Sequence, residues 1–337
     1  MDPLTHMVMG AAVAQIPSQP KTRLSWQKRA LAGALASILP DIDYLLFFID
    51  PLAFLAFWHR AETHSLLLAP LWAWGLSRLL LLFGSGSKHK SLLFWICLTA
   101  ILSHDISDSF TAFGTQWFTP LSDYRVSFNL LFVVDPYFTL TMLVVLTALI
   151  VWRSHPYRWF SFVLPVGYLG FVFALKMTLA LGLSAQESQA RIGTSELTLL
   201  PQPLSPFYWQ VIEVKKGNKT REGYDTGQQE YNQAYVKLVD DLIAAKISQL
   251  WLGNVKPEGY RKLDELTWHK YSIVPINDQW RTDARQVWHH KNFDAFRQFA
   301  LYPAFYGHKE LADTTCVWFS DLRYHWPNIL PSFRFGM

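Results

Sequence analysis

Residues 35–48 read LASILPDIDYLLFF. Two carboxylates, Asp41 and Asp43, interrupt a run that is otherwise apolar enough to lie in lipid. A carboxylate at mid-bilayer costs at least about 2.5 kcal/mol on insertion scales, so such groups face a protein interior and have partners. Pro40, just before them, removes a helical N–H. The helix is therefore expected to break where the acids sit and to open backbone polar groups toward a cavity. This stretch predicts a membrane-embedded helical protein with a polar interior.

Outward from it, the composition splits the chain. The 337 residues are 51% hydrophobic and only 17% charged, against about 25% charged in an ordinary soluble domain. The deficit lies before residue 183; beyond it Lys, Glu, Asp, Gln and Asn are frequent. Stretches near 29–50, 64–83, 91–110, 131–152 and 157–182 approach the roughly 20 apolar residues that a crossing needs, and a shorter one runs from His6 to Ile16. The expected fold is an all-α polytopic transmembrane helix bundle over 1–182, followed by a soluble α+β domain over 183–337. In the second part Phe207–Val214 and Thr315–Ser320 read as strands, whereas Lys237–Trp251 and Asn292–Leu301 have helical spacing.

The net charge of +4 is spread over short basic clusters between apolar runs, which suits loops near anionic headgroups and speaks against a nucleic-acid surface. Lys21, Arg23, Lys28 and Arg29, then Arg78, Lys88 and Lys90, then Arg153 and Arg158 fall on one side if every long stretch crosses. That side is the cytoplasm by the positive-inside rule, so the expected location is a bacterial inner membrane, multi-pass, with the C-terminal domain periplasmic. The N-terminus lacks the features of a cleaved leader. Cys97 and Cys316 make neither a metal-ligand spacing nor a disulfide framework.

Helical rise, about 1.5 Å per residue, places His6, Asp41 and His104 roughly 15, 18 and 20 Å above the cytoplasmic ends of their segments, with Asp108 one turn further out. His64 opens the second stretch and His59 can fold back over it. Imidazoles and carboxylates from separate segments thus converge on one layer, which suits a divalent cation that offsets their desolvation by coordination. His104 and Asp108, at i and i+4, share a face. Asp41 and Asp43 do not, so both ligate only if the break alters the geometry, or one orients the other ligands.

Plainer readings stand beside these. The carboxylates can pair with Arg60 or Arg125; His59 and His64 can be solvated interfacial residues; Asp135 before Pro136 reads as a helix cap. Glu62 is either a general base or a solvated residue. His59-x-x-Glu62-x-His64 is neither HExxH nor HxxEH. Ser103-His104-Asp105 spells a hydrolytic triad, but adjacent helical positions point different ways.

Met1–His6 (MDPLTH), Leu39–Asp43 (LPDID), His59-Arg60 with Thr63-His64-Ser65, Leu102-Ser103-His104 with Asp108, Thr111-x-x-Gly114-Thr115, Pro120–Asp123 and Phe132–Pro136 resemble the YdjM-like family. These are bacterial inner-membrane proteins described as metal-dependent hydrolases. The similarity covers roughly residues 1–140, and Val317–Tyr324 (VWFSDLRY) looks like the family's closing motif. The resemblance implies a metal-bound water attacking a scissile bond, with the family's recurring His and Asp falling on His6, Asp41, Asp43, His59, His64, His104 and Asp108. Asp105 stands where relatives are expected to be apolar.

The first expectation is a membrane-bound metal-dependent hydrolase that uses a metal-activated water on a lipid-borne or membrane-proximal substrate, with membrane lipids as its surroundings. Zinc is the first choice of ion and manganese the second. His6, Asp41, His64 and His104 are the leading ligands. Asp43, His59 and Asp108 are further ligands or orienting groups, and Glu62, Asp43 and Asp108 are the candidates for catalytic proton handling. The rivals are an ion or metal transporter, which also uses broken helices, and a non-catalytic stress-response membrane protein whose polar cluster only fixes packing.

Overall fold

The computed structural model describes all residues except 18–23, 83–88, 191–195, 216–218, 221–222, 225–228, 241–258, 276–279, 312–313, 328–329 and 332. The chain divides into two compact units, Met1–Ala174 and Leu175–Met337.

The first unit is helical. Asp2 and Ser25 start α1 (Pro3–Val13) and α2 (Trp26–Ile38), their side chains accepting from Thr5 N–H and Lys28 N–H, as cap residues do. After α2 the chain tightens into a nine-residue 3-10 helix, Pro40–Phe48, unusually long for this geometry. The short α3 (Pro51–Ala53) and a π turn, Phe54–Trp58, lead to His59. Next come α4 (Ala69–Leu80), α5 (Lys90–Asp108) and α6 (Pro136–Val151), then α7 (Val163–Ala190), whose residues from Leu175 onward belong to the second unit.

Among the described residues, two helices are long and apolar enough to cross a membrane: Lys90–Asp108, and the continuous stretch Trp159–Gln186. The pair α2 and Pro40–Phe48 passes jointly, bent by 44° at the break that Pro40 imposes. α1 and α6 are apolar but shorter. α6 is cut short at its start, where Asp135 caps it and accepts from Phe138 N–H at 2.8 Å. The expected stretch 64–83 begins with a 3-10 turn, Glu62–His64, and holds only the twelve residues of α4.

Small residues set the packing. Ala36, Ala69, Ala73, Cys97, Ala100 and Ile101 form a buried cluster. α1 and α2 meet at Gly10 and Gly33: a Cβ on Gly10 would strike Gly33 O and Ser37 Cβ, and one on Gly33 would strike Gly10 O and Ala14 Cβ. Gly10 with Ala14 and Gly33 with Ser37 form the small-xxx-small pattern that lets membrane helices approach closely.

The second unit carries antiparallel sheets. β1 (Glu196–Pro201), β2 (Tyr208–Lys215), β5 (Glu230–Lys237) and β6 (His269–Ser272) pair in the order β1-β2-β5-β6, and β3 (Lys219–Thr220) pairs with β4 (Gly223–Tyr224). β7 (Pro303–Leu311), β8 (Thr314–Asp321) and β9 (Arg334–Gly336) form a third sheet, near α8 (Arg281–His289) and α9 (Asp294–Phe299) in the chain. The two expected strands fall on β2 and β8. The helix expected at Asn292–Leu301 is a 3-10 turn followed by α9. That expected over Lys237–Trp251 lies mostly outside the described residues, and Lys237 itself ends β5. Trp209, Tyr231, Phe296 and Phe319 are fully buried. Arg323 grips Asp321 Oδ2 through Nε (2.9 Å) and a terminal nitrogen (2.7 Å), so the VWFSDLRY motif ends in a buried fork-to-carboxylate pair.

Candidate metal centre

The centre begins with a carbonyl that Pro40 leaves without a backbone donor. As α2 tightens, Leu39 N–H bonds Ala36 O at 3.3 Å. The next bond in a 3-10 pattern would run from residue 40 to Ser37 O, but proline has no N–H. Ser37 O instead accepts from His104 Nδ1 at 2.5 Å. A carbonyl only accepts, so Nδ1 carries the proton and the Nε2 lone pair of neutral His104 points the other way.

At Nε2 the groups converge. His104 Nε2 lies 3.1 Å from His64 Nε2. Asp41 Oδ1 is 3.6 Å from His64 Nε2 and 3.7 Å from His104 Nε2. Asp108 Oδ2 is 3.5 and 3.4 Å from the same two nitrogens. The four ligand atoms lie within 4.8 Å of one another. Tetrahedral bonds of about 2.1 Å space ligand atoms roughly 3.4 Å apart, so five of the six edges have the size a zinc-like ion requires. His64, His104 and Asp108 are wholly buried, and the Asp41 side chain is 17% exposed. Asp108 Oδ2 is buried and, apart from its ion pair with Arg60 Nε at 2.9 Å, has no hydrogen bond. Two imidazole nitrogens facing each other beside that oxygen form a donor set that could hold a metal ion.

A second layer holds the first. Asp43 Oδ2 accepts from Arg60 N–H at 2.9 Å, lies 3.1 Å from His59 Nδ1 and 3.6 Å from His64 Nδ1. Thr63 Oγ1 is 3.0 Å from His64 Nδ1. These contacts at Nδ1 fix the orientation of the His64 ring, with Nε2 toward the centre. Arg60 occupies the left-handed region, φ 56°, a costly conformation for a non-glycine residue. Its N–H to Asp43 and its carbonyl, which accepts from Gln116 N–H at 3.0 Å, hold it there. The Arg60 guanidinium meets Asp108: Nε is 2.9 Å from Oδ2, and a terminal nitrogen reaches Asp108 O (3.2 Å) and Thr111 Oγ1 (2.7 Å).

His6 approaches from α1, its Nε2 3.1 Å from Asp108 Oδ1 and its ring stacked on His104 at 3.6 Å. The Met1 amino nitrogen meets the same Oδ1. His6 therefore meets the Asp108 oxygen that does not face His64 and His104, and lies outside the group of four. His59, read as possibly solvated, is buried against Phe54, Tyr44 and Phe113. Glu62 is exposed, and its backbone carbonyl accepts from Trp72 Nε1. Asp105 is buried, and neither carboxylate oxygen has a hydrogen bond. Ser103 Oγ bonds Ala100 O, so Ser103, His104 and Asp105 do not form a triad. Arg125 bonds the carbonyls of His59 and Ala56.

Arg60, one of the two arginines offered by the sequence as partners for the carboxylates, pairs with Asp108; which carboxylate it meets was not legible in the chain.

Comparison with known proteins places the chain in a family. The protein YfhP of Bacillus subtilis (strain 168), described as uncharacterized, is 30% identical over 161 residues. That match covers 46% of this chain and 47% of YfhP, so the chain spans about half the length of this curated relative. No solved structure matches. The model of the family described as YdjM inner membrane protein matches residues 1–179, which include every residue of the centre. The closing motif at Val317–Tyr324 lies outside the match. Covering more than half of the chain and all of its helical unit's metal-ligand candidates, this match shows that the protein belongs to the YdjM inner membrane protein family.

Proposed function

We propose that the protein is a multi-pass inner-membrane hydrolase that holds one divalent cation on Asp41, His64, His104 and Asp108 and acts on a lipid-borne or membrane-proximal substrate. The observation that carries this reading is the near-tetrahedral spacing of four ligand atoms from three separate segments. The mixed imidazole and carboxylate set favours zinc, then manganese. When bound, the cation supplies Lewis acidity and lowers the pKa of nearby water.

The chain's own residues do the rest. Ser37 O, by accepting from Nδ1, aims the His104 Nε2 lone pair at the cation, and Thr63 Oγ1 holds the His64 ring at Nδ1. Arg60 offsets the second carboxylate charge of a buried site and holds Asp108 in place. Asp43, hydrogen-bonded to His59, is the buried carboxylate through which a proton moves away from the ligand layer. Glu62, exposed and two residues before His64, is the candidate for proton exchange with solvent at the rim of the centre. The basic clusters support a cytoplasmic side that includes the loop before α2, and hence a periplasmic, soluble C-terminal domain.

Elemental analysis of purified protein tests the proposal. Wild type is expected to carry about one zinc or manganese per chain, and Asp41→Ala and His104→Ala to carry background amounts. Background metal in wild type would refute it. The buried Arg60–Asp108 pair supports a second reading, a polar cluster that only fixes helix packing. Under that reading all variants are metal-free and Asp108→Asn loses stability alone.

A further inference from the structure

Three members of the ligand group are sealed, and the Asp41 side chain is the part of it that reaches the surface. The surface around Asp41 therefore decides what can reach the centre. Residues three apart eclipse in a 3-10 helix. Over Pro40–Phe48 this lines up Asp41, Tyr44 and Phe47 in one ridge and Ile42, Leu45 and Phe48 in the next.

The first ridge grades from charged to amphipathic to apolar. Tyr44 is 51% exposed, and its ring leans on His59 (4.8 Å) and Phe54 (5.3 Å). Phe47 stands edge-on against Phe54 at 5.7 Å. The second ridge is apolar and open: Leu45 is 64% exposed and Phe48 84%. From Asp41 to Ile49 the helix rises roughly 16 Å, and beyond Asp43 no charged residue interrupts it. A water-soluble substrate would meet apolar side chains along this whole edge, whereas an amphiphile can lie on it. A cation held by nitrogen and oxygen donors, without thiolate, takes an oxyanion as its further ligand.

We infer that the centre is reached sideways from the lipid along the Asp41–Tyr44–Phe47 ridge, that its substrate is a phosphate-ester amphiphile, and that Tyr44 positions the headgroup. The inference rests on the metal-dependent reading and specifies its substrate class. The headgroup phosphate sits beside Asp41, the Tyr44 hydroxyl donates to it, and the acyl chain follows Phe47 and Leu45 into the bilayer.

The test uses the full chain loaded with Mn2+ and electron–nuclear double resonance at 31P, with manganese content measured alongside. One arm holds the protein in phosphatidylglycerol nanodiscs. The other uses galactolipid nanodiscs, free of phosphorus, with millimolar glycerol 3-phosphate. A 31P coupling is expected in the first arm and not in the second. Tyr44→Phe, which keeps the ring, and Phe47→Ala are each expected to lower its intensity at least twofold at unchanged manganese content. Bound manganese with no coupling from phosphatidylglycerol overturns the inference alone. So does equal coupling from glycerol 3-phosphate, or an unaltered signal in both variants. Failure to bind any manganese overturns the metal reading and this inference with it.

Discussion

Substituting Gly33 by alanine tests whether the crossing of α1 and α2 positions the centre. The new Cβ would lie against Gly10 O and Ala14 Cβ, closer than the 3.4–4 Å of ordinary contact. Backbone and a short side chain cannot swing away, so the two helices must separate by about 1 Å. Overpacking of this kind costs about 1–3 kcal/mol. The second consequence is at the centre. Ser37 lies four residues, about 6 Å, along α2 from Gly33, and its carbonyl accepts from His104 Nδ1 at 2.5 Å. A shift of about 1 Å stretches that contact to about 3.5 Å, beyond a useful hydrogen bond. Losing such an orienting partner typically weakens metal binding by about 10–100-fold, or about 1.4–2.7 kcal/mol.

The assay is zinc affinity by chelator competition in nanodiscs, paired with denaturant unfolding. Gly75→Ala is the control, because nothing lies within 4 Å of a Cβ there, and alanine is expected to be neutral or stabilising by up to about 1 kcal/mol in mid-helix. Wild-type zinc affinity in Gly33→Ala, with stability equal to that of Gly75→Ala, would refute the reasoning.

Other expectations follow from single contacts. Pro40→Ala gives Ser37 O a backbone donor that competes with His104 Nδ1, so zinc affinity should fall by about tenfold or more; an unchanged chelator titration would count against this. Asp43→Asn leaves the ligands in place but weakens the hold on His64 and His59, so affinity should drop about 10–100-fold while stoichiometry at saturation stays the same. Arg60→Met removes one partner of a buried pair and is expected to destabilise the metal-free protein by about 3–5 kcal/mol, measured by equilibrium unfolding. In the second unit, burial pushes the His325 imidazole down to about 4 from 6.5, against the opposing charge of Asp321. The unfolded chain therefore binds more protons between those values. The stabilising contribution is complete above pH 6.5 and lost as pH falls through 4, about 3 kcal/mol in all. His325→Gln should flatten the pH dependence of unfolding in that window; an unaltered slope would exclude His325 as its source.

Much of the architecture was written in local pattern. The fall in apolar content after residue 183 separates a part with candidate membrane-spanning helices from one with antiparallel sheets. Asp135-Pro136 announces a capped helix start, and His104 with Asp108 must share a face, since both follow from spacing along one element. Pro40 marked the break. What the break exposes was not legible, because the freed Ser37 carbonyl gains its meaning only from the imidazole that α5 brings beside it. Equally, chain depth set His6 and Asp108 in one layer but could not show that His6 meets Asp108 Oδ1 and stacks on His104. The sequence alone determined which residue types gather and on which faces, because propensity, spacing and hydropathy act over a few residues. Only the tertiary structure decided which four ligand atoms lie together, that Arg60 pairs with Asp108, and that Asp41 carries the surface-exposed edge of the group. Those facts depend on distances between segments that no local pattern encodes.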